Sequence, residues 1–294
     1  MRVTENSTMK MVVAMLQQQQ ERVNALSQQV SSGLRINQPS DDPVSAQQVL
    51  NLKGLMATTD QYSRNIQTGT TWLNQMDSTM GNMNNLLVRA RELATQMANA
   101  TYSASDRQSA AVEVTQLRDQ MISLGNTQIA GKYVFGGFVN DQPPFDTNGV
   151  FKGTDDQVNI QIDQGSYIPI NYSGGKLLRG TSTGGTDVID VFNKLVTALN
   201  TNNVSDVSTA ITGLDSSLKQ IQVAQGDVGA RENRLQNADN ILTSTKDYLT
   251  KAVSAKQDSD LTQVLSDLAK QQTAYQATLA ASAKFSQLSL LDYM

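Results

Sequence analysis

The 294-residue sequence contains no cysteine and no histidine. The absence of cysteine excludes disulfides, thiol nucleophiles and thiolate metal sites. The absence of histidine removes the commonest general base and the commonest ligand of transition metals. A Ser-His-Asp or Cys-His catalytic site and a zinc centre therefore cannot be built from this chain alone. We predict that the protein is not an enzyme and that it holds no metal and no cofactor.

Aromatic residues and a strong excess of one charge are also lacking. Only 5% of the residues are aromatic, and the formal net charge of −4 comes from acidic and basic residues that are well mixed. A nucleic-acid-binding protein would show a basic stripe, so no nucleic-acid partner is expected. Much of the chain is Gln, Asn, Ser, Thr and Ala with Met and Leu, which suits long helices with narrow apolar seams.

Long hydrophobic runs are absent as well. No stretch approaches the roughly 18 apolar residues that a membrane span needs, so no membrane insertion is predicted. The short apolar run of residues 11–16 follows Lys10, as in a signal peptide, but Gln17 to Gln20 replace a small-residue cleavage site. We interpret the run as part of an amphipathic helix, and we expect any export to proceed without a cleaved signal.

Apolar residues at alternating steps of three and four predict helices at both ends of the chain. A loop at Asn37–Ser40 ends the first helix. Asp42 is a good N-cap for a second helix that begins at Pro43 and extends to about Ala100. That helix would be about 85 Å long, and other helices must lie along it. The predicted assembly seam of the N-terminal helix consists of Met9, Val12, Leu16, Val23, Leu26 and Val30.

The middle of the chain has a different character. A third helix, capped at Ser105–Asp106 and extending to about Ala130, is followed by residues 135–185, whose Gly, Pro and alternating β-branched residues predict a small β insertion. Helical spacing resumes near Asp187, and Asp258–Asp260 marks the start of a last helix. The predicted assembly seam of that helix consists of Leu261, Leu265, Leu268, Tyr275, Leu279, Leu288 and Leu291.

These patterns predict a mainly α fold, in which N- and C-terminal arms build a long antiparallel helical rod or coiled coil with a small β-rich inserted domain. Each expected helical domain combines segments of both arms. Residues 1–42 and 258–294 are expected to form a coiled-coil inner-tube domain. Residues 43–134 and 186–257 are expected to form a helical rod domain, and residues 135–185 a small outer domain.

Two groups of charged residues have competing interpretations. The adjacent Asp41 and Asp42 indicate a helix start, because a general acid–base pair faces across a cleft. Arg89, Arg91 and Glu92 lie off the apolar seam of the second helix. They form either a solvated helix face or a lateral contact with another subunit, and the sequence leaves both possibilities open.

Several motifs, in the same order along the chain, resemble the flagellin family. On the N-terminal side they are Arg2–Asn6, Leu26–Asn37, Pro39–Pro43, Arg89–Gln96, Ala98–Thr101 and Ser103–Arg107. On the C-terminal side they are Val228–Leu235 and Leu288–Asp292. The resemblance covers both helical arms.

The resemblance implies a secreted structural subunit of the extracellular bacterial flagellum, exported by the flagellar type III apparatus with a cytoplasmic chaperone. The two ends of the chain resemble those family members that form the junction between hook and filament and template filament assembly. The implied partners are other copies of the chain, a neighbouring hook-associated junction protein, flagellin and the export chaperone.

Three other functions compete with this one. Filament flagellin is the alternative within the family, although flagellins more often open with an Arg-Ile-Asn-Thr-Asn-like run and end in Leu-Leu-Arg. A coiled-coil interaction module of a secretion system is the alternative from another class. A carboxylate-based hydrolase within the β insertion is disfavoured, because no convergent pair of acids is visible.

Overall fold

The computed structural model describes the backbone of residues 5–181 and 184–291 and the side chains of residues 9–181 and 184–284. Long helices dominate this part of the chain. The predicted mainly α fold, with helical arms around a small β-rich segment, is therefore confirmed. The helices are α1 (Glu5–Ser32), α2 (Pro43–Met97), α3 (Ala104–Gly125), α4 (Val188–Asn200), α5 (Val204–Gln257) and α6 (Leu261–Leu291).

Backbone contacts divide the chain into two compact units. The first unit contains residues 1–58 and 245–294, and the second contains residues 59–244. The bounds of these units fall inside α2 and α5, so each of these helices contributes residues to both. The predicted bounds at 42/43 and 257/258 lie instead at the start of α2 and the end of α5. The predicted domains stay a prediction.

Two carboxylates start helices in the first unit. The backbone N–H of Ser45 donates to Asp42 Oδ1 at 3.0 Å, which satisfies one of the free donors at the start of α2. Asp260 Oδ1 accepts from the backbone N–H of Thr262 at 3.0 Å and starts α6 in the same way. The predicted cap at Asp42 and the predicted helix start at Asp258–Asp260 are therefore confirmed.

The second unit has one continuous apolar core that joins its helices to the β segments. Met76, Met80 and Met83 of α2 are fully buried, at the spacing of three and four residues that the sequence shows. The core continues into α3 through Val114 and Met121, into α4 through Phe192 and Leu195, into α5 through Leu214, Ile221 and Leu235, and into residues 135–185 through Phe135, Phe145, Ile168 and Leu177.

The β structure consists of two short antiparallel hairpins. The strands β1 (Gln128–Ile129) and β2 (Lys132–Tyr133) form the first, and β3 (Asn159–Asp163) and β4 (Ser166–Pro169) form the second. The first hairpin precedes the predicted β insertion of residues 135–185, and the second lies within it. Loops with Gly turns and a π-helical turn at residues 175–179 make up most of the rest of the insertion. The hairpins are held against the helices by buried apolar side chains.

The bounds of α3 differ from the prediction. Ser103, rather than Ser105–Asp106, is the N-cap, and Asp106 completes a capping box by accepting the N–H of Ser103 at 2.9 Å. The helix ends at Gly125 instead of near Ala130. Ala130 has a positive φ of 48° because it lies in the turn between β1 and β2.

The helical pattern after Asp187 is interrupted. Asp187 caps α4, and the chain breaks between Asn200 and Val204 before α5 begins. Asn202 in the break has a φ of 55°, a left-handed conformation that ends a helix and that Asn tolerates better than most residues. The apolar spacing continues across this break, which is why the sequence suggests one uninterrupted pattern.

Candidate assembly surfaces

One stretch of α1, after Lys10, is apolar on every side. Residues 11–16 are six consecutive apolar residues, and successive residues of a helix point about 100° apart, so together they surround the helix. Met9, Met11 and Met15 are 54%, 56% and 50% exposed, and Val13 is 45% exposed. We call residues 9–16 the Met9–Leu16 segment. A helix that is apolar all round is normally buried, so this segment lacks part of its cover within the chain.

Helix α1 packs against α6, and this packing covers some residues of the predicted seams and leaves others exposed. Seven of their residues are half-buried, and four are exposed. The half-buried residues are Val12, Leu16, Val23, Leu26, Val30, Leu268 and Tyr275, and the exposed ones are Met9, Leu261, Leu265 and Leu279. The side chains of Leu288 and Leu291 lie outside the described residues. None of the described side chains of α1 (residues 9–32) or of α6 (residues 261–284) is fully buried.

Sequence reasoning missed part of this surface. Met11, Val13 and Met15 are exposed apolar residues that do not belong to the heptad seam. The available signal was the uninterrupted apolar run of residues 11–16, because an amphipathic helix would place polar residues within it. That run adds a second apolar side to α1, beside the one that packs on α6.

The turn between α1 and α2 is fastened to the junction of α5 and α6. The backbone N–H of Arg35 donates to the carbonyl of Gln257 at 2.7 Å, and the N–H of Ser259 donates to the carbonyl of Gly33 at 3.0 Å. The Arg35 guanidinium reaches the carbonyl of Lys256 at 2.8 Å. The turn that follows α1 and the turn that precedes α6 are therefore tied together at one place.

The paired carboxylates before Pro43 serve this turn. Asp41 Oδ2 accepts the backbone N–H groups of Asn37 and Gln38, each at 2.9 Å. Hydrogen bonds from Ser45 lower the pKa of the Asp42 carboxyl. Both carboxylates are thus occupied by local backbone and cap contacts, in agreement with their interpretation as a helix start. No group of acidic side chains suited to a metal occurs among the described residues.

Arg89 and Arg91 lie on the surface of the second unit with their guanidinium groups paired. Arg89 Nη2 lies 2.7 Å from the carboxylate of Glu113 on α3, and Arg91 Nε lies 2.6 Å from that of Asp215 on α5. Glu92 is 3.6 Å from Arg89. All three remain about half exposed, so each can still meet another subunit. The lateral contact stays a prediction.

The geometry defines a class of protein. It is a helical subunit whose terminal helices carry more apolar surface than the chain itself covers, and such surface is completed by association. Within the described residues no helix is long and apolar enough to cross a membrane.

Comparison with known proteins identifies the family. The model of the bacterial flagellin N-terminal helical region matches residues 3–139, and that of the bacterial flagellin C-terminal helical region matches residues 211–294. The two matches together cover most of the chain. The chain belongs to the flagellin family.

Relatives of two kinds are similar to this chain. Flagellar hook-associated protein 3 of Escherichia coli K12 is 27% identical over 90% of each chain. The flagellar filament 30.7 kDa core protein of Treponema maltophilum is 30% identical over 90% of this chain and 88% of that one. The crystal structure of a flagellar junction protein from Legionella pneumophila covers 73% of this chain and all of that one, with a TM-score of 0.58 and 18% identity. This last likeness concerns the fold alone.

Proposed function

We propose that this protein is a structural, non-enzymatic subunit of the extracellular bacterial flagellum that forms the junction between hook and filament and templates filament assembly. Its partners are other copies of itself, a neighbouring hook-associated junction protein and flagellin. Before secretion through the flagellar type III apparatus, an export chaperone binds it. The likeness to hook-associated protein 3 over 90% of each chain supports this function.

The observation that carries the proposal is the incomplete burial of both terminal helices. No described side chain of α1 or α6 is fully buried, and the Met9–Leu16 segment exposes apolar residues on several sides. Helices of this kind gain most of their stability from packing, which here requires neighbouring subunits. A head-to-tail contact that does not close into a ring produces a helical array, which is the arrangement of an axial structure.

Roles for the predicted domains and sites follow from this function. Residues 1–42 and 258–294 form the inner-tube domain, with the two predicted seams as its contacts between subunits. Residues 43–134 and 186–257 form the rod domain, in which Arg89, Arg91 and Glu92 make the lateral contact. Residues 135–185 form the outer domain.

A second candidate is the filament subunit itself. The 30% identity to a filament core protein favours it. The sequence of the ends favours the junction role: the chain opens with Arg2-Val3-Thr4-Glu5-Asn6 and ends with Leu291-Asp292-Tyr293-Met294, unlike the common ends of filament flagellins.

Deletion of the gene distinguishes the two candidates. Cells are examined by electron microscopy, and the proteins of cells and medium are compared on gels. A junction subunit predicts bare hooks with flagellin shed into the medium, because exported subunits have nothing on which to assemble. Loss of the major filament protein would instead identify a filament subunit. Intact motile filaments would contradict both.

A further inference from the structure

The methionines of α1 and those of the second unit differ in exposure. Met9, Met11 and Met15 of α1 are half exposed, at 54%, 56% and 50%. Met76, Met80, Met83 and Met121 of the second unit are all 0% exposed, and Met97 is 5% exposed. Three thioethers thus lie open to solvent on the segment that lacks cover, whereas those of the second unit are enclosed in its core.

We propose that Met9, Met11 and Met15 form a modification site for hydroperoxides in the unassembled subunit, and that their oxidation blocks assembly. The proposal rests on the proposed assembly role of the Met9–Leu16 segment. In the reaction, the thioether sulfur attacks one oxygen of hydrogen peroxide and the O–O bond breaks. The sulfur gains that oxygen and becomes a sulfoxide, oxidised by two electrons, and the remaining oxygen leaves as water.

The sulfoxide changes the chemistry of the assembly surface. Met is a flexible apolar side chain that packs against irregular surfaces, and the sulfoxide is polar. A sulfoxide that is buried at a subunit contact without a hydrogen-bond donor carries a desolvation cost. Met11 and Met15 are four residues apart and share one side of α1, and Met9 lies on a different side. Oxidation therefore adds polar groups to two sides of the segment.

Burial makes the reaction selective for unit and for state. A peroxide reaches Met76, Met80 or Met83 only when the core of the second unit opens locally. Oxidation of α1 therefore leaves the fold of that unit intact. Once neighbouring subunits cover the Met9–Leu16 segment, its three thioethers are enclosed as well, so only the unassembled subunit is sensitive.

The test uses the purified full chain and a variant with Met9→Leu, Met11→Leu and Met15→Leu. Leu has a similar volume and a similar helix propensity, so the variant keeps the helix and its apolar character. Both proteins are treated with hydrogen peroxide, and sulfoxides are located by mass spectrometry of peptides. Assembly is measured as co-sedimentation with hook structures isolated from cells that lack the gene, and the fold is followed by circular dichroism.

The expected result is that Met9, Met11 and Met15 gain oxygen before Met76, Met80 and Met83, with no change in helix content. Treated wild-type protein then loses co-sedimentation, and the treated variant keeps it. Two results would overturn the inference alone: oxidised wild-type protein that still co-sediments, or a treated variant that loses co-sedimentation equally. Failure of the untreated wild-type chain to co-sediment would count against the proposed function, and the inference would fall with it.

Discussion

Arg91 of α2 and Asp215 of α5 form an ion pair on the surface of the second unit, with 2.6 Å between Nε and Oδ1. Both side chains remain about half exposed. An exposed pair of this kind stabilises a protein by at most about 1 kcal/mol. Substitution of either residue therefore breaks the pair with little effect on the fold. A comparison of the two substitutions can distinguish a contact within the chain from a contact between subunits.

Substitution of each partner tests the predicted lateral contact. Arg91→Ala and Asp215→Ala both remove the same intramolecular pair, so each should lower the free energy of unfolding by less than about 1 kcal/mol. Only Arg91→Ala also removes a residue of the predicted lateral contact. We expect co-sedimentation with isolated hooks to decrease for Arg91→Ala and to be unchanged for Asp215→Ala. Equal behaviour of the two variants would rule out a specific lateral role of Arg91.

The fully buried ring of Phe145 lies against two glycines, and this packing predicts a cost for Gly125→Ala. A Cβ atom at Gly125 would lie 2.8 Å from Phe145 Cδ2 and 3.2 Å from Leu178 Cδ1. A Cβ at Gly174 would also lie 2.8 Å from the same ring, so two separate segments of the chain approach the ring closely. We expect Gly125→Ala to destabilise the second unit by about 1–3 kcal/mol in denaturant unfolding.

Gly226→Ala provides the matched control. Gly226 is an exposed residue of α5, and an added Cβ there would meet nothing within 4 Å. Because Ala is the better helix former, this substitution should stabilise the protein by up to about 1 kcal/mol. Opposite signs for the two Gly→Ala changes are the expected outcome. A stabilising effect of Gly125→Ala would show that the phenyl ring of Phe145 is loosely packed.

Local signals in the sequence were sufficient for much of the fold. The spacing of Met76, Met80 and Met83 predicted the buried side of α2, and side-chain chemistry predicted the cap at Asp42. These features depend on neighbours within a few residues, which the sequence displays directly. The same holds for the start of α6 after Asp260.

Other features depend on contacts between distant residues. Periodicity placed Leu261, Leu265 and Leu279 on the apolar seam of α6. It could not show that these three leucines remain exposed when α6 packs on α1. The residues around Phe145 are placed by glycines from separate segments, and no short pattern predicts such packing. Buried Arg107 was missed for the same reason, since its partner Asn202 comes from a distant turn.

Arg107 is 3% exposed and holds two turns of the second unit. Its Nε and Nη2 donate to the carbonyls of Met97 and Asn99, each at 2.9 Å, and Nη1 donates to Asn202 Oδ1. Loss of the guanidinium leaves the buried carbonyl of Met97 and two partly buried acceptors without these donors. We therefore expect Arg107→Ala to cost about 1–3 kcal/mol of unfolding free energy.

Two further variants sharpen this prediction about Arg107. Arg107→Lys keeps the charge but cannot reach three acceptors with one ammonium group, so an intermediate loss is expected. Arg64→Ala is the control, because Arg64 is exposed and its guanidinium donates to Gln61 on its own helix. Denaturant unfolding monitored by circular dichroism measures all three. A loss for Arg107→Ala no larger than that for Arg64→Ala would contradict the role given to the buried guanidinium.

The partly buried carboxyl group of Glu232 should make the stability of the protein depend on pH. Its Oε1 is buried with no hydrogen-bond partner among the described residues. Burial, and secondarily the negative charge of Asp77, raises the pKa of the Glu232 carboxyl above its usual value of 4.5. The folded state therefore binds this proton more tightly than the unfolded state. The ionised carboxylate destabilises the folded state fully when the pH is above the pKa of Glu232 in the folded protein. This destabilisation shrinks as the pH falls through that pKa, and it is absent below the pKa of Glu232 in the unfolded chain.

Glu232→Gln should therefore raise Tm at neutral pH, and the difference from wild type should disappear as the pH is lowered below the unfolded pKa. Thermal unfolding of both proteins over a pH series measures this difference directly. Asp141→Asn, which neutralises an exposed carboxylate of the same unit, serves as the control for a general effect of charge. A difference in Tm that is independent of pH would mean that ionisation of Glu232 is not its cause.

Removal of residues 261–294 separates folding from assembly. The continuous core of the second unit runs from Ile66 to Leu242 and includes no residue of α1 or α6, so we expect its amide hydrogen exchange to be unchanged. Co-sedimentation with isolated hooks should be lost, because α1 then lacks α6.

A second variant, with Leu261, Leu265 and Leu279 each changed to Gln, leaves α6 in place with half-buried Leu268 and Tyr275. Because the three leucines are exposed, this variant should retain its helix content and still fail to assemble. A truncated chain that co-sediments with hooks would refute the role of the C-terminal seam, and a truncated chain that unfolds throughout would show that the two units are not independent.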